Sequence, residues 1–397
     1  LLNLSQEAFV RERVLARNEL CERFIEREAL PLASACREMA ARFSNGGRLF
    51  ALGRGPYATD AMHVSVEFIH PVIVGKRALP ALDVSMAPEA WIETLVCEND
   101  MAIGFGPPGG DDDVSRAVRA AQHRGAMTIA WPGSTGDADY SVAAPTNDAH
   151  VHQELFELLG HTMYESVQVF LEHRSRHEAA PPQGETDADF NFLYPFLDAD
   201  ETGDDAALRD VEASIRMKGR DANLLREQVA AEQSDRIAAA AAAIRERLDR
   251  GGRILAFGNG GSATDATDFA LDCVMPENGW AAIPAVSLAL EPAVITATAN
   301  DVGVDVIFLR QLIAQSRPCD VAMAFSTSGG SANVVSALME ARKRGLLTVA
   351  LLGYDGGEIA RRGLAEIALV VRCDYVPRIQ EAQGTIYHVL REALAHA

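Results

Sequence analysis

The stretch Arg250-Gly-Gly-Arg-Ile-Leu-Ala-Phe-Gly-Asn-Gly260 lies on Asn45-Gly-Gly-Arg-Leu-Phe-Ala-Leu-Gly-Arg-Gly55 at a shift of 205 residues, so the chain repeats itself. Further on, Asp100-Met-Ala-Ile-Gly-Phe105 falls on Asp320-Val-Ala-Met-Ala-Phe325 at a shift of 220, and the register continues to His123-Arg-Gly125 on Lys343-Arg-Gly345. The 15-residue difference is a segment around Ala299 to Gln315 that the first half lacks. In both halves short apolar runs alternate with helical stretches: Arg48 to Leu52, Met101 to Phe105 and Met127 to Trp131 are matched by Arg253 to Phe257, Val321 to Phe325 and Leu347 to Leu352. Continuous apolar runs between helices indicate strands covered on both faces, as in a parallel sheet. Each half is therefore expected to be a doubly wound α/β domain.

The whole composition agrees with two such units. At 397 residues the chain is long enough for about two to three domains. Lys+Arg minus Asp+Glu is 36 − 56 = −20, and a surface of that sign repels phosphate backbones and anionic membranes. No nucleic-acid or membrane partner is expected. Cys21, Cys36, Cys97, Cys273, Cys319 and Cys373 are scattered singly, which argues against a disulfide framework or zinc knuckle. With no signal-peptide pattern in Leu1 to Arg27, a cytoplasmic location is the expectation.

The domains are drawn at 1–175 and 207–397, joined by a linker at 176–206. The linker contains Pro181-Pro182 and eight acidic residues from Glu185 to Asp205, without Lys or Arg in that span. Such composition suits a solvated connector, although Phe190, Phe192, Tyr194 and Phe196 alternate as packed aromatics do, so it is expected to lie along a domain. The Ala-rich run Arg236 to Arg250 reads as a packing helix.

Two loops of the second half are suited to an anion. Gly258-Asn-Gly-Gly-Ser262 follows a strand and opens a helix, a turn that points backbone N–H groups at the helix N-terminus. Such turns also occur simply as connections. Ser326-Thr-Ser-Gly-Gly-Ser331 supplies four hydroxyls at the next helix start, more than capping needs. Both loops at carboxyl ends of strands suggest a phosphorylated small molecule between them.

Together Gly258-Asn-Gly-Gly-Ser262, Ser326-Thr-Ser-Gly-Gly-Ser331 and Arg378-Ile-Gln-Glu381 resemble the sugar isomerase (SIS) domain, in particular the phosphoheptose isomerases. The resemblance implies two tandem SIS domains, each a parallel five-stranded sheet flanked by helices in a flavodoxin-like arrangement. The implied activity is interconversion of sedoheptulose 7-phosphate and a heptose 7-phosphate by enediol proton transfer. Ser262, Ser326, Thr327, Ser328 and Ser331 would hold the phosphate, while Asn259, Asp301, Gln380 and His388 would contact substrate.

In the first half, His63 and Glu67 stand at i and i+4, which can present an imidazole and a carboxylate to one metal ion, or simply make a surface contact. The family carries a His and a Glu there. It also has a Gln and a His eight residues apart, as Gln153 and His161 are here. The resemblance thus implies a metal set of His63, Glu67, Gln153 and His161, with Glu67 and His161 catalytic and Zn²⁺ the ion that suits the donors. SIS proteins commonly build sites between subunits, so a homo-oligomer is expected, a dimer of two-domain chains forming a pseudo-tetramer.

The two halves depart from this pattern in complementary ways. Asp268 and Asp272 stand where the first half has His63 and Glu67, while Gly106, Pro107, Pro108 and Asp111 stand where the second half has Ser326, Thr327, Ser328 and Ser331. Prolines lack the N–H and an aspartate at a helix start repels phosphate. Arg54 replaces Asn259, and Tyr57 replaces Ser262, where it could close a pocket or touch a sugar. A fused pseudo-dimer with one working site between unlike domains accounts for the pattern. A non-catalytic phosphosugar-binding or docking module, or an isomerase of another phosphosugar, would account for it too.

Overall fold

The computed structural model describes residues 5–71, 75–134, 136–178, 204–276 and 279–396. The first sheet contains β1 (Leu49–Leu52), β2 (Ala81–Asp83), β3 (Met101–Phe105), β4 (Met127–Trp131) and β5 (Tyr140–Ser141) in the order β2-β1-β3-β4-β5. In the second, β6 (Ile254–Phe257), β7 (Ala285–Ser287), β8 (Val321–Ser326), β9 (Leu347–Gly353) and β10 (Ile367–Val371) run in the equivalent order β7-β6-β8-β9-β10. Every pairing is parallel. Strands β1, β3, β4, β6, β8 and β9 are buried at every position, because helices cover both faces. In β1 the two-residue period sends Leu49 and Ala51 to one core and Phe50 and Leu52 to the other.

Helices α1 (Gln6–Ser44), α2 (Ala58–Ile69), α3 (Pro88–Leu95), α4 (Asp112–His123) and α5 (Ala149–Glu178) belong to the first half. The second contributes α6 (Asp204–Glu232), α7 (Ser234–Asp249), α8 (Gly261–Val274), α9 (Pro292–Asp301), α10 (Ile307–Gln315), α11 (Ala332–Lys343), α12 (Gly357–Arg361) and α13 (Val376–His396). The insertion seen in the repeat register is α10 with the turn before it. The Ala-rich run forms α7, whose Ile237, Ala241 and Ile244 are buried.

The halves interlock rather than sit side by side. The 39-residue α1 is about 58 Å long, and its Val10 and Val14 join the second core while Cys21 to Phe43 serve the first. A boundary at 175 therefore separates the sheets but not the helical packing. Asn18 Nδ2 donates to the Asn223 carbonyl at 3.2 Å and Asn223 Nδ2 donates to the Asn18 carbonyl at 3.0 Å. These two residues are 205 apart, the repeat shift itself, and such reciprocity is the mark of a two-fold relation. The equivalent helices α2 and α8 also pack on each other.

The linker with Phe190, Phe192, Tyr194 and Phe196 lies almost wholly outside the described residues. Among the described residues no helix is long and apolar enough to cross a membrane, and the six cysteines are free.

Candidate active site

The two-fold relation brings α2 and α5 against α8 and α13, and two polar clusters form there. Helix α2 sets His63 and Glu67 one turn apart on its inward face, and α5 brings His161 to them. His161 Nε2 lies 3.1 Å from His63 Nε2 and 3.3 Å from Glu67 Oε1, with His63 Nε2 4.0 Å from Glu67 Oε1. All three residues are buried.

The outer nitrogens are held by the other half of the chain. Thr264 Oγ1 donates to the Gly261 carbonyl at 2.5 Å, so it accepts from His63 Nδ1 at 2.9 Å and leaves the His63 Nε2 lone pair free. His161 Nδ1 lies 2.9 Å from Glu381 Oε1, itself 2.8 Å from Arg378 Nη2. Burial, reinforced by His161, holds His63 well below the usual imidazole range. Burial and then the Arg378 charge lower His161 to about 3, so both rings are neutral. Burial, followed by the charges of Glu165, Glu157 and Glu381, pushes Glu67 well above the usual carboxyl range. It likewise pushes Glu381 up to about 8 against the pull of Arg378, and positive charge taken up at His161 would draw it back down.

A cavity of about 710 Å³ opens from His63 and Glu67 onto Asn259, Gly261, Ser262, Thr327 and Gln380 of the second half. The site is thus composite within one chain. Gly261 is required for the approach: a Cβ there would run into Gln380 Nε2 and stand 3.1 Å from His63 Nε2. Asn259 and Asn333 exchange amide hydrogen bonds at 2.8 and 2.9 Å, bracing the loop. Ser326 and Ser328 accept from the N–H groups of Gly329 at 3.1 Å and Gly330 at 3.3 Å, so they shape the 326–331 turn, and Ser331 caps α11 by position.

Three residues fall elsewhere than the sequence reading places them. Gln153 does not join His63, Glu67 and His161; its Nε2 donates to Asp268 Oδ1 at 2.9 Å and Asp60 Oδ2 at 3.2 Å. Eight residues advance a helix by about 12 Å and turn it by about 80°, so Gln153 and His161 serve different clusters. Its counterpart Gln380, 227 residues on, lines the cavity and keeps its buried Oε1 unpartnered. His388 is equally displaced from the substrate-contact set, lying in the second cluster. Asp301 is exposed at the end of α9, and its recorded partner is Asn300.

The second cluster is the two-fold mate of the first. Asp268 Oδ2 and Asp272 Oδ2 lie 3.4 and 3.3 Å from His388 Nε2, and Glu154 Oε1 lies 3.1 Å from His388 Nδ1. Thr59 Oγ1, which donates to the Pro56 carbonyl at 2.5 Å, lies 3.0 Å from Asp268 Oδ1 as Thr264 pairs with His63, and Glu154 mirrors Glu381. Against burial, the carboxylates of Asp268, Asp272 and Glu154 raise His388 well above the usual imidazole range. A protonated ring thus occupies the centre of this cluster. Pro56 and the buried Tyr57 stand where the first site has Gly261 and Ser262. Arg54 ion-pairs with Asp113 and, at 3.6 Å, with Asp111, in the place of the Asn259–Asn333 pair.

Thr264, Glu381 and Arg378 were not singled out as site residues by the sequence reading. The repeat register held a usable signal, since the string Arg378-Ile-Gln-Glu381 is offset by 227 from the first half's Gln153-Glu154.

The model of the SIS domain matches residues 219–353. The chain is similar to the phosphoheptose isomerase of Geotalea daltonii, with 40% identity over 172 residues, 42% of this chain and 87% of that protein. It is also 40% identical over 187 residues to the phosphoheptose isomerase of Pelobacter propionicus, 47% of this chain and 97% of that protein. The C-terminal domain of glucosamine-fructose-6-phosphate aminotransferase from Francisella tularensis superposes with a TM-score of 0.59, covering 98% of this chain and 95% of that one at 10% identity, a likeness of fold.

Proposed function

Because the chain belongs to the phosphoheptose isomerase family of SIS-domain proteins, we propose that it is a phosphosugar aldose–ketose isomerase, with sedoheptulose 7-phosphate as its first substrate to test. The observation that carries the reading is the cluster of His63, Glu67 and His161, whose His63 and Glu67 line a cavity together with the Gly258–Ser262 loop and Thr327 of the other half.

The residues fit a divalent ion such as Zn²⁺. Bonds of about 2.0–2.1 Å in a tetrahedron put neighbouring ligand atoms about 3.3 Å apart, and the His63, His161 and Glu67 donor atoms span 3.1 to 4.0 Å. Both rings are neutral and tethered at their outer nitrogens, as metal-ligating histidines are, and the unpartnered Gln380 Oε1, on the wall of the same cavity, would be the amide donor beside them. An ion held there would polarise the substrate carbonyl and its adjacent hydroxyl.

Glu67 presents Oε1 to the histidines and keeps a buried Oε2 without a hydrogen-bond partner. Oε2 is the atom that takes the proton α to the carbonyl and returns it. His161, with Nδ1 held by Glu381, would give its Nε2 to the ion. Ser262, Thr327 and the N-terminus of α8 receive the phosphate, helped by the helix dipole and the 326–331 turn.

The isomerase works as a dimer of two-domain chains, a pseudo-tetramer. Helix α9 buries none of its residues, and Val294, Leu290, Val302 and Val304 are exposed on and beside it. A second copy covering that face would also bring Asp301 out of solvent, and light scattering would give twice the chain mass. The cytoplasm suits its free cysteines.

The deciding experiment is deuterium incorporation into sedoheptulose 7-phosphate in D₂O with Zn²⁺, read by NMR. Label at C1 or C2 that disappears in Glu67→Gln supports the assignment. Absence of label with metal bound redirects the search to another phosphosugar, and absence of both label and metal favours the non-catalytic module.

A further inference from the structure

His70 ends α2 and lines the active-site cavity together with Gly260, Gly261 and Ser262 of the other half. Its two-fold mate, 205 residues on, is Met275, which ends α8 in the same way. Met275 overhangs the glycine turn of the first half, with its Cε 3.8 Å from the place a Cβ on Gly55 would take. At the equivalent Gly260 nothing lies within 4 Å of that place. A methionine thus covers the turn of the sealed site, while His70 leaves the turn of the open one clear.

The N–H groups and dipole at the start of α8 favour an anion from one side of that clear space. The rest of the chain, at net charge −20, opposes one, so a donor on the facing wall matters. Of the basic residues lining the cavity, His63 belongs to the cluster with Glu67 and His161, and Lys76 is held by Glu172 at 2.5 Å. His70 is exposed, and its ring has no hydrogen-bond or ion-pair partner among the described residues. An imidazole carries at least one N–H, and its bond to a phosphate oxygen is stronger than one to a neutral hydroxyl.

We propose that His70 is a substrate-binding residue that closes the phosphate subsite from the first half, donating to the phosphate on the side that the N-terminus of α8 leaves uncovered. It sets the preference for a phosphorylated over a free sugar, since an uncharged chain end gains little from it. The proposal rests on the reading of this cavity as a phosphosugar site.

The test titrates inorganic phosphate into the full chain, read by phosphorus NMR. Binding should saturate, with a Kd that rises about tenfold in His70→Met, the loss of one bond to a charged group, and recovers in part in His70→Gln, which keeps a donor. His70 is exposed, so these variants fold. His123→Met, at an exposed histidine ending α4, should leave Kd unchanged. In the proton spectrum, the imidazole resonance lost in His70→Met should move as phosphate is added. A Kd indifferent to His70→Met, an equal loss in His123→Met, or a His70 resonance indifferent to phosphate overturns the proposal. This arm needs no turnover, so a chain that binds phosphate through His70 and isomerises no sugar overturns the isomerase reading alone. With turnover established, His70→Met should raise KM for sedoheptulose 7-phosphate about tenfold and hold kcat within about twofold; an unmoved KM overturns the proposal.

Discussion

The two clusters at the pseudo-two-fold occupy equivalent places, yet one opens to a cavity and the other is sealed around a charge. Thr264 and Glu381 hold His63 and His161 as Thr59 and Glu154 hold Asp268 and His388. The scaffold is shared and the centres differ. In the first, two neutral imidazoles and a carboxylate face one another with lone pairs inward, an arrangement that suits a bound cation. In the second, two aspartates lie 3.4 and 3.3 Å from one histidine Nε2, and their charges raise its affinity for a proton. The access differs too, since Gly261 leaves room for Gln380 and His63 where Pro56 and Tyr57 fill the equivalent space. Equivalent positions of the two copies thus hold a His–Glu–His cluster beside a cavity in one and an enclosed Asp–Asp–His cluster in the other.

The comparison breaks most sharply if the wrong copy is active. Glu67→Gln should lower kcat about a thousandfold, within the usual weight of a general base, while Asp272→Asn leaves kcat close to native. Elemental analysis should find one divalent ion per chain, lost in His63→Ala. Two ions per chain, or activity lost in Asp272→Asn alone, would reverse the assignment of the copies.

Next in size is the ion cluster. His388→Leu leaves Asp268 and Asp272 buried without the imidazole between them, while Glu154 keeps Arg17 at 2.9 Å. The change should cost about 3–5 kcal/mol in urea unfolding and spare the metal content. The pH dependence has a definite sign. The folded-state affinity of His388 for its proton is raised above the unfolded value, so its contribution is complete below about pH 6.5. It is lost as pH rises through the folded value. The stability gap between native protein and His388→Leu should therefore narrow in alkaline buffer, and a gap that widens there would refute the protonated ring.

Gly261→Ala should be smaller, with about 1–3 kcal/mol of overpacking and a marked loss of activity as Gln380 is displaced. The mirror change Pro56→Gly should leave activity unaltered. Smallest is Arg54→Asn, which restores the residue type of the working loop. Arg54 is half exposed and its partners Asp111 and Asp113 lie at the surface, so neither stability nor kcat should move measurably.

Much of this was legible in the residues. Strand positions, strand burial and the α10 insertion follow from apolar runs and a register shift, because a parallel sheet covered on both faces needs continuous apolar strands. The decay of Asp268, Asp272, Pro107 and Pro108 was equally visible. Gln153 misled because spacing along a helix says how far apart two side chains lie, not which neighbour each one meets.

The sequence by itself determined that there are two α/β units and that the His63, Glu67 and His161 donors and the glycine–serine loops stand in different halves, since repeats, glycine turns and donor types are local properties. Tertiary structure alone decided that Gln380 rather than Gln153 shares a cavity with His63 and Glu67, that Glu381 and Thr264 lie on the outer nitrogens of His161 and His63, and that His388 is enclosed by carboxylates. Those pairings join residues some 200 positions apart across a two-fold relation, and only the packing of α2 and α5 on α8 and α13 brings them within hydrogen-bonding distance.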